Sequence, residues 1–256
     1  MASIEIQKKL SADVSNIFGL PDFDSVWEKV SEGHIWVIPI ENSYAWNIHN
    51  NLYNFLKFDC KIIGEYHLEV HHCLLSLERD ISNIKKVYSH PQALSQCHKY
   101  LSEKSIVPSS FYDTAWAAKH ISETKEAWVW AIASKLAGEI YGLKTLDYSI
   151  QDQTGNTTRF FIIVRKESNI IFSSKSNKTT LLFEVKNIPS SLYKCLGAFA
   201  TNTINLTKIE SVPSFGGQFS YFFWIDFEWN LWDDRVKKAL EELQFFTSFV
   251  KVLGEY

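Results

Sequence analysis

Gly155-Asn156-Thr157-Thr158-Arg159-Phe160-Phe161-Ile162-Ile163-Val164 sets a polar tip directly before an unbroken apolar run. A short continuous run of this kind reads as a buried strand. The amide of Asn156, the hydroxyl of Thr158 and the guanidinium of Arg159 stand where the loop enters it. In α/β proteins ligands settle where loops meet the strand ends of a sheet. Taken alone, a Thr-Arg pair entering a strand is most often a turn with a solvated charge. Its weight comes from the rest of the chain.

Working outward, helical and extended segments alternate from Asp22 onward. Asp24 to Glu32 reads as a helix, His34 to Ile40 as a buried strand, and Asn47 to Leu56 as a second helix. Cys60 to His72 is strand-like and runs into Cys73-Leu74-Leu75. A third helix opens near Ser89 with Pro91 in its first turn, where proline is tolerated, and Ala93, Leu94, Cys97 and Leu101 share one face. A fourth opens near Asp113. A fifth spans Lys125 to Tyr141, carrying Trp128 and Trp130, with Gly142 as a left-handed terminator. The alternation predicts an α/β fold with mostly parallel strands.

The composition changes at Lys166 to Asn177, a polar stretch that reads as a linker. Beyond it come a strand (Thr179 to Val185), a helix (Ser190 to Thr201), strands at Ile204 to Ser211 and Phe219 to Glu228, a helix (Asp233 to Phe249) and a final strand at Lys251 to Leu253. Val236, Leu240, Leu243, Phe246 and Val250 form the apolar stripe of that helix. The order β-α-β-β-α-β is ferredoxin-like. The domain expectation is therefore 1–168, a linker at 169–177, and a small second domain at 178–256.

Composition narrows the function classes. The 256 residues hold 46% hydrophobic residues and a formal net charge of −3, so nothing resembles the basic footprint of a nucleic-acid binder. No apolar run approaches the ~18 residues of a membrane span, and the N-terminus lacks the apolar core of a signal peptide. Cys60, Cys73, Cys97 and Cys195 are scattered and read as free thiols of a cytoplasmic protein. His71-His72-Cys73 resembles a metal cluster, but neighbours on a strand face opposite ways, so no metal is expected. Gly216-Gly217 reads as a hairpin turn.

Several helix openings and strand ends carry polar side chains. Pro39-Ile40-Glu41-Asn42-Ser43 closes the first strong strand, with helix capping as its plain explanation. Ser89-His90-Pro91-Gln92 opens a helix, where free N–H groups favour an anion; capping explains Ser89 and Pro91 but leaves His90 and Gln92 over. Asp113-Thr114-Ala115 opens another. With Arg159 they make a cradle for a substrate carrying carboxylates.

Pro-Ile-Glu-Asn-Ser, Ser-His-Pro-Gln-Ala-Leu, Asp-Thr-Ala, Ile-Ala-Ser (132–134), Tyr-Gly-Leu (141–143) and Asn-x-Thr-Arg-Phe occur in the order found in prephenate dehydratases, and the chain resembles that family from about Asp22 to Asp226. The second domain resembles the regulatory ACT domain through Ile204 to Ser211. The resemblance implies a two-lobed catalytic domain like the type II periplasmic binding proteins. It also implies decarboxylating dehydration of prephenate to phenylpyruvate in phenylalanine synthesis, without metal or cofactor. Arogenate is an alternative substrate, and a non-catalytic amino-acid or aromatic-acid binding module is an alternative role. Thr158 matches the family's threonine at the leaving group. Glu41, Asn42, Ser43, Ser89, His90, Gln92, Thr114, Ala115, Asn156, Arg159 and Phe160 match the substrate-binding positions. A homodimer or homotetramer is implied, with L-phenylalanine as effector.

Departures from the pattern carry expectations of their own. Family members begin with a strand and a Gly-Pro-x-Gly-Thr loop, whereas this sequence opens at Met1-Ala2-Ser3-Ile4-Glu5-Ile6 in what reads as the helix that follows, as though N-terminally shortened. Trp46 stands where glycine is usual, and Trp116 replaces a small residue. The effector positions Leu192, Asn205, Leu206, Glu210 and Ser211 remain. However, Gly-Ala-Leu has become Ser190-Ser191-Leu192, and Glu-Ser-Arg-Pro has become Glu210-Ser211-Val212-Pro213. Weakened phenylalanine binding is expected.

Overall fold

The computed structural model describes all residues except 11–15, 21, 45, 48, 79–84, 127, 173–176 and 215–219, and backbone alone at 46, 47, 49 and 50. The Gly216-Gly217 turn and part of the linker lie outside the described residues. In chain order the elements begin with α1 (Ala2–Lys9), α2 (Phe23–Glu28) with a 3-10 turn at Val30–Glu32, β1 (Trp36–Asn42), β2 (Trp46–Asn47), α3 (His49–Lys57), β3 (Cys60–Glu69) and β4 (Cys73–Ser76). Next come β5 (Lys86–Ser89), α4 (Pro91–Gln96), α5 (His98–Glu103), β6 (Val107–Ser110), α6 (Thr114–Thr124), β7 (Val129–Ala133), α7 (Lys135–Ile140), β8 (Lys144–Tyr148) and β9 (Thr157–Arg165). The chain finishes with β10 (Lys178–Val185), α8 (Ser191–Thr201), β11 (Leu206–Pro213), β12 (Tyr221–Glu228), α9 (Asp234–Phe246) and β13 (Thr247–Glu255). No helix among the described residues is long and apolar enough to cross a membrane.

Contacts group the chain into two compact units that do not follow the serial order of the sequence. The first holds residues 41–46 and 67–158, and the second holds 2–40, 47–66 and 159–256. The chain therefore passes from one unit to the other between Thr158 and Arg159.

The first unit is built on a five-stranded sheet ordered β6-β5-β7-β4-β8. β5 runs parallel to β6 and β7, while β4 is antiparallel to β7 and β8, so the sheet is mixed rather than mostly parallel. Strand periodicity divides its side chains between two cores. Trp130 and Ile132 of β7 join Leu74, Leu94 and Leu101, whereas Ala131 and Ala133 join Leu75, Ala117 and Ile121. Both faces are thus apolar. The expected helix from Lys125 to Tyr141 is in fact β7 followed by α7. A strand buried on both faces lacks polar alternation and cannot be told from a buried helix by periodicity. The break is local, with left-handed backbone at Lys125 (φ 52°) and Trp128 (φ 66°), and Ser134 capping α7 through the Ala137 N–H.

The second unit carries a sheet ordered β11-β12-β10-β13-β3-β9-β1, with the two-residue β2 at its end. β10, α8, β11, β12, α9 and β13 reproduce the expected βαββαβ order, and the pairs β11–β12, β12–β10 and β10–β13 are antiparallel. Alternation again splits the side chains. Leu181, Phe183, Ile225 and Phe227 pack with Phe199 of α8 and Leu243 of α9, whereas Leu182 and Trp224 pack with Trp27, Phe55, Ile62 and Phe161. The final strand is longer than expected and takes Thr247 to Phe249 from the predicted helix, together with Val250 of its apolar stripe. It lies between β10 and β3, parallel to the latter, with Gly254 opposite Ile62. A Cβ at Gly254 would run into the Ile62 carbonyl, so close approach of the two backbones requires glycine.

One buried cation sits within this unit. The Arg159 side chain is 8% exposed and its Nη1 lies 2.6 Å from Asp226 Oδ2, with the Asp226 side chain fully buried. Its Nε donates to Glu65 Oε2 at 2.7 Å and its Nη2 to the Tyr256 hydroxyl at 3.0 Å. Asp226 Oδ1 also accepts from Thr180 at 2.7 Å and from the Trp224 indole at 3.1 Å, and Lys178 bonds the far oxygen of Glu65 at 2.9 Å. The four cysteines are free and buried, and burial pushes the Cys60 and Cys97 thiols up to about 12.

Removing one partner of a buried ion pair typically costs ~3–5 kcal/mol, because the other charge is left uncompensated. We expect Asp226→Leu to lose that much in urea unfolding, and Asp226→Leu with Arg159→Met to lose less than the sum of the single variants. Burial pushes the Glu65 carboxyl up, but Arg159 and Lys178 outweigh it and hold it below its ordinary value. A depressed carboxylate stabilises above its unfolded pKa and loses that contribution as pH falls through the folded one. The urea midpoint should therefore drop on acidification in the wild type, and less in Glu65→Gln.

Candidate active site

Asn42 ends β1, and its Nδ2 lies 2.9 Å from Thr158 Oγ1 and 2.8 Å from Asn156 Oδ1. Its Oδ1 accepts the Tyr44 backbone N–H at 3.0 Å. A backbone N–H can only donate, so it fixes which end of the Asn42 carboxamide is oxygen. The remaining orientations follow in order. Asn42 donates to Thr158, so an Oγ1 lone pair is occupied and the hydroxyl hydrogen is the part of Thr158 that can donate. Asn156 accepts on Oδ1, so its Nδ2 donates to Gln96 Oε1, at 3.0 Å. Gln96 Oε1 is therefore an acceptor, leaving the Gln96 NH2 group for another partner.

The loop holding Asn156 is braced from both sides. Ser43 Oγ accepts the Thr157 N–H at 2.9 Å and donates to the Gly155 carbonyl at 3.3 Å, while the Tyr44 hydroxyl donates to the Thr154 carbonyl at 2.9 Å. Gly155 has φ +86°, a left-handed turn that glycine adopts without strain. Asn156 is buried at 3% exposure.

A cavity of about 350 Å³ opens beside this network, lined by Tyr44, Gln92, Ser95, Gln96 and Asn156. Gln151, Asp152 and Gln153 complete the lining. Carboxamides dominate it, and no lysine or arginine is among the described lining residues. Asp152 accepts the Lys99 N–H at the opening of α5, at 3.1 Å from each carboxylate oxygen.

The structure brings Asn42, Ser43, Asn156 and Thr158 into one network, with Gln92 and Asn156 on the cavity wall. Ser43 is not at a helix opening, because α3 starts at His49. Ser89 is fully buried and donates to the Ile132 carbonyl at 2.6 Å. His90 caps α4 by accepting the Gln92 N–H. At Thr114 and Ala115, Asp113 caps α6 by accepting the N–H groups of Ala115 and Trp116 at 2.7 and 3.1 Å. Glu41 lies on β1 and Phe160 on β9. Arg159 turns to the buried carboxylates described above. Sequence reasoning does not single out Gln96 or the Gln151-Asp152-Gln153 stretch. The only signal for Gln96 is its place within the helix opened by Ser89-His90-Pro91.

The Prephenate dehydratase family description matches residues 3–168. The chain belongs to that family. It is 39% identical over 251 residues to Arogenate dehydratase 2 of Petunia hybrida, covering 91% of this chain and 64% of that protein. It is 39% identical over 233 residues to Prephenate dehydratase of Methanocaldococcus jannaschii, covering 90% of this chain and 84% of that one. Thus it spans under two thirds of the petunia relative's length but most of the archaeal one. Two solved structures share the fold at a TM-score of 0.87: GqqA, described as a novel type of quorum quenching acylase (30% identical, 100% of this chain and 93% of that one), and prephenate dehydratase of Arthrobacter aurescens in complex with L-Phe (25% identical, 100% and 86%). These likenesses bear out the fold class read from the sequence.

Substitution at Asn42 tests these orientations directly. Asn42→Asp replaces the donor facing Thr158 with an acceptor, so Thr158 must turn its hydroxyl hydrogen toward the introduced carboxylate. If Thr158 donates in catalysis, kcat should fall by on the order of 10²-fold with KM changed little. Steady-state kinetics on the folded variant checks this.

Proposed function

We propose that the chain converts prephenate to phenylpyruvate, with Thr158 donating to the departing hydroxyl. The observation that carries this reading is the directed hydrogen-bond chain that leaves the Thr158 hydroxyl hydrogen to donate. In the reaction the bond between ring and carboxylate breaks and its electron pair enters the ring. The carbon–oxygen bond at the opposite ring position breaks, and hydroxide leaves. Carbon dioxide, water and an aromatic ring result, so the thermodynamic drive lies in the substrate. The protein's task is to hold a dianion and to meet the charge developing on the leaving oxygen. A threonine is too weak an acid to be a proton source by itself, but a preorganised O–H stabilises that charge and relays a proton from solvent. The cavity's amide groups, Gln92 and Gln96 among them, suit carboxylate oxygens.

A second reading, arogenate as substrate, is favoured by the Asp152 carboxylate in a wall without lysine or arginine among its described residues. Arogenate carries an ammonium where prephenate has a keto group, and a carboxylate suits the former. L-phenylalanine as a weakened effector is part of the same proposal. Ser190, where family members place glycine, has left-handed backbone at φ 64°, and the Ser191 hydroxyl is taken up by the Lys186 and Ile188 carbonyls. Assembly as a homodimer or homotetramer is supported by exposed aromatics on α8 and α9, Tyr193 and Phe245. Buried free thiols support a reducing, cytoplasmic setting.

Phenylpyruvate absorbance on the purified chain tests the activity. Thr158→Ala should lose ~10²–10³-fold in kcat with the fold intact, and wild-type turnover in that variant would remove Thr158 from the mechanism. Absence of turnover by the wild type with either substrate would instead favour a non-catalytic binding module. Asp152→Asn should shift the prephenate-to-arogenate ratio of kcat/KM about tenfold toward prephenate, the scale of one lost charge contact. Calorimetric titration should show no micromolar phenylalanine binding.

A further inference from the structure

His72 belongs to the His71-His72-Cys73 stretch, and its side chain has a defined task. It is 6% exposed, and its Nε2 lies 2.8 Å from Gln96 Oε1. Asn156 already donates to that oxygen, and the chain of orientations beginning at the Tyr44 N–H makes it an acceptor. A hydrogen bond from His72 must therefore run from Nε2–H to Gln96, which selects the Nε2–H tautomer. Burial lowers the imidazole pKa, in keeping with a neutral ring. The backbone on either side of the ring is fixed as well. The His72 N–H donates to Gln151 Oε1 at 3.0 Å, the His72 carbonyl accepts the Ile150 N–H at 3.0 Å, and the Gln96 carbonyl accepts the Asp152 N–H at 2.7 Å.

The geometry points to His72 as a positioning residue: its Nε2–H locks the Gln96 carboxamide so that the Gln96 NH2 group faces the cavity as a donor to an anionic group of the substrate. Without the imidazole, the Gln96 side chain loses one of the two donors that hold its oxygen. A rotated amide would then present oxygen to the substrate carboxylate, replacing attraction with lone-pair repulsion. The role in turnover rests on the dehydratase reading, whereas the lock itself is a property of the protein without substrate.

The experiment uses the full chain. Wild type, His72→Leu, His72→Gln, Gln96→Ala and the His72→Leu/Gln96→Ala double variant are assayed with prephenate and arogenate, each with its melting midpoint. Imidazole nitrogen NMR reads the His72 tautomer in the absence of substrate. His72→Leu should lose about 10- to 100-fold in kcat/KM, the scale on which a misplaced group penalises turnover. His72→Gln puts an amide nitrogen near the position of Nε2 and should recover activity to within about threefold. In the Gln96→Ala background, His72→Leu should cost nothing further, because a residue that acts through Gln96 has nothing left to act on. Full activity of folded His72→Leu, multiplication of the two single losses, or equal losses in His72→Leu and His72→Gln would overturn the proposal, as would an Nδ1–H tautomer. If wild type turns over neither substrate, the dehydratase reading fails, and the tautomer measurement still decides the lock. If His72→Leu does not fold, His72→Gln and the tautomer decide.

Discussion

A guanidinium buried in protein must be matched by negative charge and hydrogen bonds, or the fold pays several kcal/mol for it. Arg159 meets this demand with Asp226 and Glu65, and Lys178 supplies further positive charge on Glu65. The carboxylates come from β12 and β3, the tyrosine hydroxyl from Tyr256, and the guanidinium itself from β9. Strands far apart in sequence are thereby fixed in one register, and a shift of β9 would strand a buried charge. Phe161, two residues on, lies with its ring 4.7 Å from the guanidinium carbon and packs in the apolar cluster of Phe55 and Trp224. Charge satisfaction and apolar packing therefore reinforce the same placement of β9.

That placement matters because β9 also carries Thr158. In a strand, neighbouring side chains leave opposite faces. The same dipeptide thus sends its guanidinium to the buried carboxylates and its hydroxyl to Asn42. On the Thr158 side, orientation is set by neutral groups, beginning from one backbone N–H. Neutral amides gain precision from a fixed donor without the desolvation cost of buried ions.

Much of the fold is legible because its signals are local. Pro91 opening α4, Asp113 capping α6, the left-handed Gly142 and the βαββαβ order each follow from a few residues. The failures have separate physical causes. Trp130-Ala131-Ile132-Ala133 lies in a sheet apolar on both faces and has no polar face to betray a strand, whereas β13 reads too short because Phe249 and Val250 follow Phe246 at helical spacing. In the site, Asn42, Asn156 and Thr158 are legible from the polar ends of strands. Gln96 and His72 are not, since Gln96 closes a helix, His72 reads as one side chain of an extended run, and their meeting is a tertiary contact. Arg159 is legible as important, while its partners 67 and 97 residues away are not.

The division of β9 between two tasks constrains how this sequence can drift. A deletion or insertion of one residue between Thr157 and Arg165 would exchange the faces of every side chain beyond it. Ahead of Thr158 it would make the hydroxyl and the guanidinium trade environments, so the reaction and the fold would fail in one event; beyond Arg159 it would turn Phe161 and Ile163 off their core. Point substitutions can tune either property, whereas length changes in this strand have no neutral intermediate. Indels tolerated by the loops of such a protein should therefore be purged from these nine residues with a severity that reflects both losses together.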